Sequence, residues 1–178
     1  MFPRQRQASG ITYRWQGTMM PTGSVASERL RGGEMKIETS LYQVALRLLG
    51  IKEVPGSLDH PFISWCISQT THPGPYHDEI PWCSAFINGL CVLLGLPRSG
   101  SAAARSWLTV GTEVSQEDAM IGMDIVVLSR GDNPTAGHVG IFAGLEDGKV
   151  KLLGGNQGDR VSIASFPVSQ ILGVRRLT

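Results

Sequence analysis

Cys83 stands in EIPWCSAFINGL (79–90), directly after a Pro-Trp pair and directly before an apolar run that reads as a buried helix. A thiol becomes a nucleophile when its pKa falls from about 8.5 toward neutral, and a helix N-terminus beside an imidazole lowers it. Pro81 is the expected punctuation for such a helix start. A base is available in AGHVGIFAG (136–144), which puts His138 at the head of a strand, with Gly137 and Gly140 leaving room for a close approach. An imidazole acting as a base must be held in one tautomer by a third polar group. VKLLGGNQGD (150–159) offers Asn156 just past the next strand, and an antiparallel hairpin would return it to His138. Cys, His and Asn so arranged are the parts of acyl transfer through a thiolate. Each also has an ordinary reading: a packed thiol, a half-buried ring at a strand end, and turn chemistry after Gly-Gly. Their order along the chain and the elements around them favour the joint reading.

Those elements are legible from residue 40 onward. Ser40 and Gln43 form a capping box, and Leu41, Val44, Ala45, Leu48 and Leu49 repeat at helical spacing until Gly50. FISWCISQ (62–69) reads as a short apolar helix between two loops rich in Pro and Gly. Residues 83–94 are apolar nearly all round and end at Gly95, as expected of a central buried helix, and SAAARSWL (101–108) reads as another short helix. MDIVVLSR, GHVGIFAG, KVKLLGG, RVSIASF and ILGVRRL are β-rich runs separated by turn residues. Helices first and strands second predict an α+β plan with an antiparallel sheet.

The chain has 178 residues, 42% hydrophobic and 17% charged, which suits one domain of ordinary size. A net charge of +1, without a basic stripe, argues against nucleic acid as a partner. No apolar run reaches the roughly 20 residues of a transmembrane helix, so no membrane partner is expected. Residues 1–34 lack periodicity and read as a disordered tail, with the domain at 35–178 and Met35 an alternative start. No Sec signal is visible ahead of the first helix pattern. Cys83 and Cys91 would lie about 12 Å apart on one helix, too far for a disulfide, and a reducing compartment of synthesis is expected. His60, His72 and His77 match no metal-ligand spacing, so neither a metal nor a cofactor is expected.

EIPWCSAFINGL, SAAARSWL, GHVGIF and LLGGNQGDRVSIASFPVSQILGVRRL together resemble a bacterial and phage family of small cysteine peptidases in the papain-like NlpC and CHAP group. The resemblance runs in order from about Leu41 to Leu177 and leaves the tail before Met35 without a counterpart. It implies a papain-like fold, helices on a five- or six-stranded antiparallel sheet, and cleavage of amide bonds in peptidoglycan peptide stems. It also implies Cys83 as nucleophile, His138 as base and then acid, and Asn156 as orienting residue, where many relatives use a second His or a Glu. The Cys83 backbone N–H at the helix start is the candidate oxyanion donor, with Tyr76 or His77 from the preceding loop as candidates for a second. Trp82, Tyr76 and Trp107 are candidates for the substrate cleft, the two tryptophans equally for the core. A monomeric phage lysin served by a holin, or an injected antibacterial effector with an immunity protein, would be made in the cytoplasm and act on the wall. A thiol acyltransferase and a non-catalytic wall-binding or phage structural module remain the alternatives.

Overall fold

A computed structural model describes residues 39–56 and 58–177; the tail expected over 1–34, and Met35, lie outside the described residues. Among the described residues three α-helices come first, α1 (Leu41–Arg47), α2 (Pro61–Ser68) and α3 (Cys83–Leu94). Six strands follow: β1 (Thr112–Val114), β2 (Asp124–Ser129), β3 (Gly137–Glu146), β4 (Lys149–Gly154), β5 (Ser162–Pro167) and β6 (Ile171–Arg176). They form one antiparallel sheet in the order β1-β6-β2-β3-β4-β5. The expected α+β plan with an antiparallel sheet of five or six strands is what the chain adopts, the strands numbering six among the described residues. SAAARSWL differs from its reading: residues Ala104–Thr109 form a 3-10 helix. β1 is a three-residue edge strand that no alternating pattern announces.

Local chemistry sets the helix ends. The Ser40 hydroxyl accepts from Gln43 N at 3.2 Å and Gln43 Oε1 accepts from Ser40 N at 3.1 Å, closing the capping box of α1. Pro61 opens α2, whose first turn donates Phe62 N–H to His60 Nδ1. α3 ends at Gly95, whose φ of 64° is the left-handed conformation that glycine adopts freely. Nine consecutive residues of α3, Cys83 to Cys91, are buried.

α3 is buried because both sides of it are packed. Toward α2, a Cβ on Gly89 would fall 2.5 Å from Cys66 Sγ, so the bare backbone lets the two helices meet there. Toward the sheet, Phe86, Ile87 and Leu90 join Ile125, Val127, Val139, Ile141 and Leu153 in one apolar cluster. Val126, Leu128, Phe142, Leu152 and Val174, which alternate with that set along the strands, form a second cluster on the other face. The sheet is thus apolar on both faces.

Three contacts fix the start of α3. Ser84 Oγ accepts from Trp107 Nε1 at 2.8 Å and donates to Ser101 O. Asn88 Nδ2 donates to Ser84 O and Ser101 O while its Oδ1 accepts from Gly100 N, tying residues 99–103 to the helix. Trp82, the residue before the helix, lies against Gly155 in the loop after β4: a Cβ there would come within 2.6 Å of Trp82 Cε3 and 2.8 Å of Phe86 Cβ.

Gly155 has no left-handed φ, so an added methyl acts by volume alone. Gly155→Ala is therefore expected to cost about 1–3 kcal/mol, the usual cost of overpacking a closed core. Urea unfolding followed by circular dichroism measures it; unchanged stability would show that Trp82 is free to retreat.

Candidate functional site

The three candidate residues stand on three elements, and the structure brings His138 and Asn156, but not Cys83, to one cavity. Cys83 is the first residue of α3 and is 5% exposed; its N-cap, Trp82, offers no side-chain hydrogen bond. The amide donors of that first turn are therefore not taken by a capping side chain. Backbone N–H groups of Val139, Ser84 and Cys83 itself face the thiol. Val139 follows His138 on β3; its side chain joins the cluster on the α3 face, while the His138 ring, opposite Leu128 and against Phe166, is turned to the other face of the sheet. No hydrogen bond joins the Cys83 thiol to the His138 ring among the described residues; apo sites commonly leave such a contact open until substrate binds.

The His138 ring is 7% exposed and tilts against Phe166, ring centroids 5.1 Å apart. His138 Nε2 lies 2.9 Å from Gln157 Oε1. The Gln157 amide nitrogen donates to the Leu152 and Ser162 carbonyls, so its oxygen is the atom turned to the ring. That oxygen only accepts, hence His138 Nε2 carries the proton and Nδ1 keeps its lone pair. The tautomer follows from two carbonyls at the far end of a glutamine.

The contact expected of Asn156 is made by its neighbour. Asn156 has φ 57°, a left-handed turn position that asparagine tolerates, and its side chain makes no hydrogen bond among the described residues. The longer Gln157 reaches the ring from the next position. The loop holding it is tied down: Gln157 N donates to Arg160 O, Val161 N to Ile51 O, and Glu53 N to Asp159 O.

The tryptophans are core. Trp82 and Trp107 are both fully buried, with their indole N–H groups given to Glu53 Oε1 and Ser84 Oγ. Neither lines a cleft. Tyr76 is 41% exposed, packed over Gly74 and tilted toward His72, and His77 Nδ1 pairs with Asp59 Oδ2 at 3.1 Å. His60 and His72 spend Nδ1 on local backbone amides. No group of three His, Cys, Asp or Glu that could hold a metal occurs among the described residues, and no described helix is long and apolar enough to cross a membrane.

Beside His138 opens a cavity of ≈ 450 Å³, lined among others by Arg130, Asn156, Gln157, Phe166 and Gln170. Cys83 does not line it. A wider hollow of ≈ 640 Å³ along β1 shares no residue with it and holds none of the candidate residues.

Burial dominates the electrostatics. It pushes the Cys83 thiol up, against the expectation of a lowered pKa; the N–H groups of Val139 and Ser84 and the charge of Arg130 oppose it. It pushes His138 below the ordinary imidazole value, the Gln157 hydrogen bond opposing and Arg130 reinforcing. Thiol and imidazole are both held neutral at rest. Cys66 and Cys91, fully buried, are pushed up to about 12.

No family model matches the chain, and no curated protein matches it. Two solved structures are similar in part: an NlpC/P60 family protein from Bacillus cereus ATCC 10987, with TM-score 0.40 and 19% identity over 53% of this chain, and NlpC1 from Trichomonas vaginalis, with TM-score 0.46 and 19% identity over 78%. The matches cover 30% and 43% of those proteins, so the chain spans less than half the length of either.

Two outcomes are expected. Iodoacetamide at neutral pH should label Cys83 ahead of Cys66 and Cys91, read by peptide mass mapping, because only Cys83 has facing donors and some exposure. Faster labelling of Cys91 would remove Cys83 from the site. An NMR titration of His138 should have its midpoint below the ordinary value of 6.5, and Arg130→Gln should move it upward. The folded state favours the neutral ring, so this group's stability contribution is present above the unfolded pKa and lost as pH falls through the folded one.

Proposed function

We propose that the chain is a cysteine hydrolase that cleaves an amide bond of peptidoglycan stem peptides. The observation that carries the chemistry is the His138–Gln157 lock, which leaves a basic Nδ1 on a buried ring one residue from the backbone facing Cys83. The wall peptide as substrate rests on the four sequence blocks that resemble the papain-like NlpC and CHAP group.

In this reading His138 Nδ1 takes the proton of Cys83 as sulfur attacks the amide carbonyl. The resulting imidazolium keeps its Nε2–H bond to Gln157. Negative charge develops on the carbonyl oxygen, and the uncapped first turn of α3 supplies backbone N–H donors for it, that of Cys83 foremost. Tyr76 remains a candidate second donor. The tetrahedral adduct collapses, the C–N bond breaks, and Nδ1–H protonates the departing amine. Water then gives a proton to Nδ1 and attacks the thioester, and the acid leaves as the proton returns to sulfur. Because thiol and imidazole rest neutral, the charge pair forms during attack rather than before it.

Digestion of purified sacculi, followed by free amino groups and by mass spectrometry of released muropeptides, tests the proposal. Cys83→Ala and His138→Ala should each lower the rate by several orders of magnitude with the circular dichroism spectrum retained. Gln157→Ala removes only the orienting acceptor and should cost about ten- to a thousandfold, by analogy with other orienting groups. Asn156→Ala, which spares that hydrogen bond, should stay within a few-fold of the unsubstituted chain. Full activity in folded Cys83→Ala protein would end the hydrolase reading, whereas a loss at Asn156 equal to that at Gln157 would reopen the orienting role.

A further inference from the structure

The cavity beside His138 has one-sided chemistry. Its walls carry the guanidinium of Arg130, the imidazole of His138 and the amides of Asn156, Gln157 and Gln170, and no carboxylate among the described residues. Gln157 is committed to the ring and to two carbonyls. Arg130 follows the last residue of β2 and is exposed at the cavity, so its charge can be met from solvent. Arg130 and His138 line the same cavity, which puts the guanidinium on the side where the ring opens to solvent.

We infer that Arg130, with the Asn156 and Gln170 amides around it, forms a subsite for a carboxylate of the substrate peptide close to the bond to be cut. The inference rests on the hydrolase reading above and adds to it a specificity. A guanidinium presents paired donors that match a carboxylate, and neutral amides beside it satisfy the remaining lone pairs without competing charge. ≈ 450 Å³ accommodates a carboxylate-bearing residue rather than a bare ion. Wall peptides carry free carboxylates next to their amide bonds, and amidation of those carboxylates would abolish the recognition while leaving the scissile bond intact.

The test is calorimetric binding to the full chain carrying Cys83→Ala, so that binding is read without cleavage. The probes are two synthetic stem peptides, one with free carboxylates and one with every carboxylate amidated. Adding Arg130→Gln should weaken binding of the carboxylate peptide about 10- to 100-fold, the worth of a charge-assisted hydrogen bond, and leave the amidated peptide within about twofold. Arg130→Lys, which keeps charge but not the planar fork, should lie between. Equal weakening of both peptides, no change in either, or failure of the carboxylate peptide to bind would overturn the subsite. Binding as expected, without cleavage by the chain that retains Cys83, would count against the hydrolase reading and leave the subsite standing.

Discussion

Everything at the site depends on one buried indole. Trp82 is fully enclosed, donates Nε1–H to Glu53 Oε1 at 2.7 Å, and lies where only a glycine at 155 leaves room. Its neighbour in sequence is Cys83, and two residues past Gly155 is Gln157. Glu53 also gives its backbone N–H to Asp159 O in the loop that carries Gln157. One residue of the segment between α1 and α2 therefore holds the nucleophile's helix and the ring-binding loop in register. An aliphatic residue at 82 would fill the volume without the hydrogen bond, and any Cβ at 155 would displace the ring. The cluster of tryptophan, glycine and glutamate does for the site what a disulfide does in a secreted domain, by packing instead of covalent closure.

The same burial that gives this precision sets the electrostatics. Desolvation is the largest influence on Cys83 and on His138, and it acts against the charged form of each. Arg130 then pulls in opposite senses along the proton-transfer coordinate, since it favours thiolate and disfavours imidazolium. A neutral orienting amide suits this balance. A carboxylate in place of Gln157 would raise the ring's pKa and promote a resting ion pair, whereas the amide fixes the tautomer of the neutral ring without adding charge. Burial and Arg130 both favour the free-base ring, and in the proposed reaction charge would separate only as a carbonyl arrives at the uncapped end of α3.

How much of this was legible in the sequence differs residue by residue. The capping box at Ser40, the stop at Gly95 and five of the six strands follow from local chemistry, and the structure keeps them. β1 was not legible because three residues at an edge carry no alternation; they are a strand only because β6 pairs with them. Cys83 and His138 could be placed at a helix start and a strand head from their neighbours alone. The contact partner of His138 could not, because Asn156 and Gln157 differ by one methylene and by which of them takes the left-handed turn, and that turn is set by the closure of residues 155–161 on 50–53. Trp82 and Trp107 read as equally fit for cleft or core; their hydrogen bonds to Glu53 and Ser84, distant in sequence, decide for core.

The expectation of a lowered thiol pKa at Cys83 failed for a reason that bears on the whole arrangement. A helix N-terminus lowers a thiol where solvent or a charged partner shares the site, and here the first turn of α3 is closed under the sheet at 5% exposure. The N–H groups of Val139 and Ser84 favour the thiolate, but removal from water acts against it and is the larger influence. Such a site gains from keeping its donors uncommitted. The N–H groups at the start of α3 that fail to ionise the thiol at rest are the ones a developing oxyanion would meet, and their stabilisation is worth more there than in water. In the proposed hydrolase, burial of Cys83 would thus move the work of the helix end from preparing the nucleophile to receiving the charge that its attack creates.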